Sequence, residues 1–249
     1  MAPETHHSTS EVGHAVNVAH FQELIAGCES IGATYDPANS RLSITDLNTQ
    51  LTAAQSALLS VQAAKSELII EINDRQEAFE NLQKLATRII NALTALTSDP
   101  RIIADARSIV NKIHGVRARN HVEETVPEEE THHLVSVSQR SYANQIQHFS
   151  ALIELLRVVP EYSPNEGDLR LPSLESYLQQ MQNANARIQP KYFAYEAALE
   201  HRDQLLYNPE SGVVETAKKV KSYVKSVFGA DSPMFKTLNE INFKTFKRD

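Results

Sequence analysis

The sequence predicts an all-α fold, a tandem duplication of a four-helix unit whose long helices are antiparallel and heptad-patterned. Three observations carry that expectation. Two stretches 127 or 128 residues apart spell the same motifs, with a single-residue slip between Ile25 and Tyr35. His20-Phe21-x-x-Leu24-Ile25 recurs as His148-Phe149-x-x-Leu152-Ile153, and Tyr35-x-Pro37 recurs as Tyr162-x-Pro164. Leu42-x-Ile44-x-x-Leu47-x-x-x-Leu51 recurs as Leu169-x-Leu171-x-x-Leu174-x-x-x-Leu178. The second observation is a seam: from Leu47 to Leu96, alternating steps of four and three meet apolar residues at thirteen of fifteen positions, Lys65 and Arg75 excepted. A heptad seam of that length marks long, closely packed helices. The third is composition, with no Trp, seven Gly and abundant Ala, Leu, Gln, Glu and Asn, which favours helix over strand.

Taken in order, residues 1–12 are polar and aperiodic and read as a disordered tail. A first helix is expected from Gly13 to Ile31, with Val16, Ala19, Leu24 and Cys28 near its inner face; Gly32 and the turn residues after Tyr35 end it. The seam helix follows. Unbroken from Leu47 to Leu96, it would extend about 75 Å at 1.5 Å per residue. The second repeat keeps the same phase through Leu174, Leu178, Met181, Asn185, Ile188, Tyr192, Tyr195, Leu199, Arg202 and Leu206. It then gains about four residues at Asn208-Pro209-Glu210-Ser211 before resuming at Val213, Ala217, Val220, Val224 and Val227. Asn208 followed by Pro209 reads as an N-cap with proline at the first helical position. By analogy a bend or turn is expected near Asn81–Lys84, and a kink at Pro190. Ser98-Asp99-Pro100 and Asp231-Ser232-Pro233 open a last helix in each repeat. The plan is therefore a first helical repeat over 13–115, an acidic linker over 116–138 and a second helical repeat over 139–249.

The run Ser136-Val137-Ser138-Gln139-x-Ser141, with Tyr162-x-Pro164-Asn165-Glu166 and Tyr223-Val224-Lys225-Ser226-Val227-Phe228-Gly229, resembles motifs of a family of uncharacterised bacterial two-repeat all-helical proteins. The likeness would span Val18 to Phe243. It implies the same two-part helical layout, and no activity, cofactor or site comes with it.

The formal charge of −7 is unevenly spread. Glu123, Glu124, Glu128, Glu129 and Glu130 crowd the linker, while residues 212–249 hold eight bases against four acids. Such asymmetry constrains partners more than the total does. The start of the chain has neither a basic region nor an apolar core, so no secretory signal is expected. No apolar run approaches the roughly 18–20 residues that cross a bilayer. With a single cysteine, Cys28, the chain suits a reducing compartment, and a cytoplasmic location is expected.

Ten histidines raise the question of metal. A di-iron bundle needs Glu-x-x-His on core helices. Here that spacing falls at Glu129/His132, Glu130/His133 and Glu4/His7, in linker and tail, so no metal and no cofactor is expected. His20 and His148 recur beside Phe as packing or capping histidines, with assembly sensitive to pH as the alternative. Cys28 lacks a partner and reads as a small core residue. No nucleophile elbow, Walker loop or dinucleotide turn is present, so the chain is not read as an enzyme. Arg75 and Arg202 share an otherwise apolar seam; each either pairs with a carboxylate inside its bundle or holds a ligand anion. Lys218, Lys219, Lys221 and Lys225 have no aromatic platform beside them, so neither nucleic acid nor membrane is the expected partner.

The function these features favour is a structural or scaffold protein that self-associates into filaments or sheets. Two similar units supply head-to-tail surfaces that need not close. The alternative is a non-polymerising helical interaction or ligand-binding module. The candidate assembly contacts are the five linker glutamates and the four lysines, steering neighbours together; the competing reading makes the first a solvated linker and the second a solubilising face.

Overall fold

The computed structural model describes residues 9–116 and 141–245. The chain is all-α. Its helices are α1 (Thr9–Ile31), α2 (Ile44–Glu80), α3 (Leu82–Leu96), α4 (Pro100–His114), α5 (Tyr142–Arg157), α6 (Leu171–Tyr207), α7 (Val213–Phe228) and α8 (Pro233–Glu240). No strand occurs among the described residues. None of the described helices is long and apolar enough to cross a membrane.

Two compact units emerge, and they are not the contiguous halves 13–115 and 139–249. One comprises Met1–Leu68 with Lys191–Asp249, the other Ile69–Pro190. Each long helix contributes one part to each unit, and the division in α6 falls at Pro190. A sequence repeat lies along the chain, whereas burial follows whichever apolar faces meet.

In the first unit α1 buries His14, Asn17, Val18, Phe21, Leu24, Ile25 and Cys28, a stripe at helical spacing. The expected inner face was misplaced at its start: Ala19 is exposed and Val16 half-buried, because the stripe runs through Asn17 and Val18. The helix also begins at Thr9, inside the segment read as tail; residues 1–8 lie outside the described residues. Leu47, Leu51 and Ala54 of α2 join Leu206 of α6 and Val213, Ala217, Val220 and Val224 of α7 in this core. At Gly27 a Cβ would lie 2.2 Å from Leu238 Cδ2, so glycine allows α8 to approach α1 closely.

In the second unit α4 packs against both α3 and α5. Phe79, Leu82, Ala86, Ile89 and Leu93 meet Ala106, Val110 and Ile113, and Phe149, Leu152, Ile153 and Leu156 of α5. Leu174 and Met181 of α6 complete that core.

The seam positions divide along each helix. Leu51 and Leu199 are buried, as expected, but Leu58, Ile72 and Leu178 are half-buried, and Leu96, Tyr192 and Val227 are exposed. Asn81 alone separates α2 from α3, at the expected break. In the other repeat, residues 208–212 form a turn and α7 starts at Val213, not at Pro209. Asn208 does cap, but it caps the turn: its Oδ1 accepts from Glu210 N at 2.9 Å and Ser211 N at 3.2 Å. Asp99 and Ser232 cap α4 and α8, accepting from Arg101 N at 2.9 Å and Phe235 N at 3.1 Å, each with proline following.

Candidate interaction surfaces

Two tyrosines that recur in the sequence tie down the loops before α2 and α6. Tyr35 donates to the Leu42 carbonyl at 2.8 Å, and Tyr162 donates to the Leu169 carbonyl at 2.9 Å. Burial raises the Tyr35 phenol above its usual range and pushes Tyr162 up to about 12. Burial likewise pushes the Cys28 thiol up to about 11, which leaves it protonated and unreactive at neutral pH.

The repeated histidines differ. His20 is half-buried and its Nδ1 meets the Asn242 carbonyl at 2.6 Å, with Phe243 edge-on to its ring. His148 has a buried Nε2 without a hydrogen-bond partner. Burial, and then the charge of Lys112, hold its imidazole below the ordinary 6.5.

The repeated arginines differ as well. Arg202, 4% exposed, pairs with its neighbour Asp203, Nη2 to Oδ1 at 2.7 Å. Arg75 instead lies 4.1 Å above the Tyr142 ring and reaches Asn185 Oδ1 at 3.5 Å. The expectation of a carboxylate for each therefore fails at Arg75, where an aromatic face takes the charge and Nε stays buried without a partner. Along the same part of the second unit, Arg187 pairs with Glu71 at 2.9 Å.

All four α7 lysines have partners within their own unit. Lys218 pairs with Glu215 at 3.1 Å, and Lys219 donates to the Glu210 carbonyl at 2.8 Å. Lys221 donates to the carbonyls of Asn239, at 3.1 Å, and Ile241, and burial lowers its pKa. Lys225 sits 5.7 Å from the Phe235 ring. Lys221 is thus a structural clasp on the chain after α8. Glu123, Glu124, Glu128, Glu129 and Glu130 lie outside the described residues, as do Glu129/His132, Glu130/His133 and Glu4/His7. Among the described residues no group of three or more His, Cys, Asp or Glu is placed to hold a metal.

Two features escaped the sequence reading. Asn17, fully buried, holds the main chain at Lys244: its Nδ2 donates to the Lys244 carbonyl at 2.7 Å and its Oδ1 accepts from Lys244 N at 2.9 Å. Its Nδ2 also reaches Tyr207 Oη at 3.2 Å, which His14 Nδ1 meets at 2.5 Å. A polar residue on the apolar face one turn before His20 was the available signal. In the second unit, Arg88 grips Asp168 through both guanidinium nitrogens, Nη2 to Oδ1 at 3.1 Å. This pair borders a cleft of about 720 Å³ that Lys84, Ser176, Tyr177 and Gln180 also line.

Compared with protein-family models, with curated proteins and with solved structures, the chain matches none.

Proposed function

We propose that this chain is a structural protein of the cytoplasm that self-associates, built by duplication of one helical unit. The observation that carries the reading is on α2, which leaves Leu59, Ile69 and Ile70 exposed at 66%, 47% and 57%. Leu59 and Ile70, about three helical turns apart, share one face of α2, and an apolar face left uncovered is a candidate contact surface. Burying one such side chain contributes about 1.5–3 kcal/mol. Duplication is supported by the equal 37-residue lengths of α2 and α6 and by the matched tyrosine tethers, each spanning seven residues. The heptad phase shared by those helices, and the likeness to two-repeat bacterial proteins, belong to the same reading. The partner is a second copy of the chain, with other proteins next; neither nucleic acid nor membrane is proposed. Opposite charge on the linker glutamates and the α7 lysines steers the approach, and apolar burial supplies the energy.

A second reading, a module that binds a ligand without polymerising, draws on the cleft beside Arg88 and Asp168. Negative-stain microscopy of the purified chain separates the two. Filaments or sheets that Ile70→Lys abolishes support the first; single particles at every concentration leave the second.

A further inference from the structure

Two helix faces of the second unit flank the cleft of about 720 Å³. Lys84, Leu85 and Arg88 line it from α3, and Ser176, Tyr177 and Gln180 line it from α6. Both sets are residues i, i+1 and i+4, which share a face of a helix. From Asn81 to Arg88 the wall runs about 10 Å at 1.5 Å per residue. The volume falls among those of pockets that hold small molecules, about 300–1,000 Å³.

One group in this wall works against the fold. Tyr177 is half-buried, its ring edge-on to the fully buried Phe149 with centroids 5.7 Å apart. Its hydroxyl is buried and meets no hydrogen-bonding partner among the described residues. Tyr35 and Tyr162, by contrast, each donate to a carbonyl. Enclosing a hydroxyl without a bond costs stability, and phenylalanine would fill the same space without that cost. An acceptor carried into the cleft gives the hydroxyl the bond it lacks. Burial raises the phenol's pKa, so it stays protonated and able to donate.

The charge of the cleft selects the acceptor. Asp168 is the one carboxylate among the described residues that line it, and Arg88 takes both of its oxygens. That pair ties α3 to the turn before α6. Lys84, one turn before Arg88, has no ion pair or hydrogen bond among the described residues. An unpaired ammonium is therefore left beside Leu85 and the Tyr177 ring, both packed on the core of the unit. A cation and a hydroxyl donor next to an apolar, aromatic wall suit one anionic group on a flat apolar body.

We infer that this cleft binds a small aromatic carboxylate, with its carboxylate shared between the Lys84 ammonium and the Tyr177 hydroxyl and its ring against Leu85. The inference takes up the cleft of the second reading, and it holds whether or not chains associate.

Equilibrium dialysis of the full chain against naphthoate tests it, with naphthylmethylammonium as the same rings carrying the opposite charge. The acid should bind one per chain, and the amine far more weakly. Lys84→Glu turns attraction into repulsion, so it should weaken the acid about tenfold and improve the amine. Tyr177→Phe should weaken the acid several-fold while the urea midpoint stays or rises, a split that a merely structural tyrosine does not give. Leu59→Lys with Ile70→Lys, the pair that bears on self-association, should leave binding of the acid unchanged. The inference is overturned by no binding of the acid, by equal binding of acid and amine, or by an affinity that Lys84→Glu leaves unmoved. Tyr177→Phe with native affinity, or loss of binding in the Leu59 and Ile70 variant, overturns it as well.

Discussion

Tyr35 donates its hydroxyl to the carbonyl of Leu42, and Tyr162 makes the same bond to Leu169 at a distance only 0.1 Å longer. In each case a buried phenol closes the loop that leads into a 37-residue helix. Removing the hydroxyl leaves a carbonyl unsatisfied, which costs about 1–3 kcal/mol. Tyr35→Phe and Tyr162→Phe should each lower the urea midpoint by a comparable amount. A loss confined to one of them would remove the energetic argument for equivalent loops.

Asn17 presents both amide atoms to Lys244 and also reaches Tyr207. Several bonds at about 0.5–1.5 kcal/mol each are lost in Asn17→Ala, and buried groups are left unpaired. The expected result is destabilisation of about 2–3 kcal/mol in denaturant. Amide exchange measured across residues 241–245 should lose protection in the variant.

Gly212 and Gly167 make a controlled contrast. A Cβ on Gly212 would sit 2.6 Å from Asn208 N and 2.7 Å from Asn208 O, both backbone atoms, while nothing lies within 4 Å of one on Gly167. Gly212→Ala should cost about 1–3 kcal/mol through overpacking. Gly167→Ala should stay within about 0.5 kcal/mol of the parent. Thermal melts of the two variants side by side check this.

How much of this was legible in the sequence follows from where the apolar residues find partners. Leu24 and Cys28 were placed on the inner face of α1 by periodicity, and both are fully buried. Asp99-Pro100 and Ser232-Pro233 announced their helices because capping is local chemistry. The allocation of each long helix to two units was not legible, since a seam repeats the same signal whether its residues pack at one end or the other. Lys65 and Tyr192 sit on that seam yet are exposed. Arg75 and Arg202 occupy matching positions, but their partners, Tyr142 and Asp203, come from residues the repeat does not conserve. The Asn17 contact depends on a segment more than 220 residues away, which no local pattern reports.

His148 gives the pH dependence a sign. Its folded-state pKa lies below the ordinary 6.5 because burial disfavours the charged ring. Below 6.5 the unfolded chain therefore binds the proton more readily, so this residue subtracts stability as pH falls through that window and subtracts nothing above it. Wild type should lose more stability between pH 7.5 and 5.5 than His148→Gln does. Equal slopes in the two proteins would show that burial at His148 does not couple to folding.

Self-association of the whole chain is the central claim, and sedimentation velocity over a wide concentration range tests it most directly. The account predicts a weight-average mass that climbs with concentration past a dimer, and that falls back to one chain in Leu59→Lys with Ile70→Lys. A sharp, concentration-independent monomer in the native sequence, at low and moderate salt alike, would contradict it.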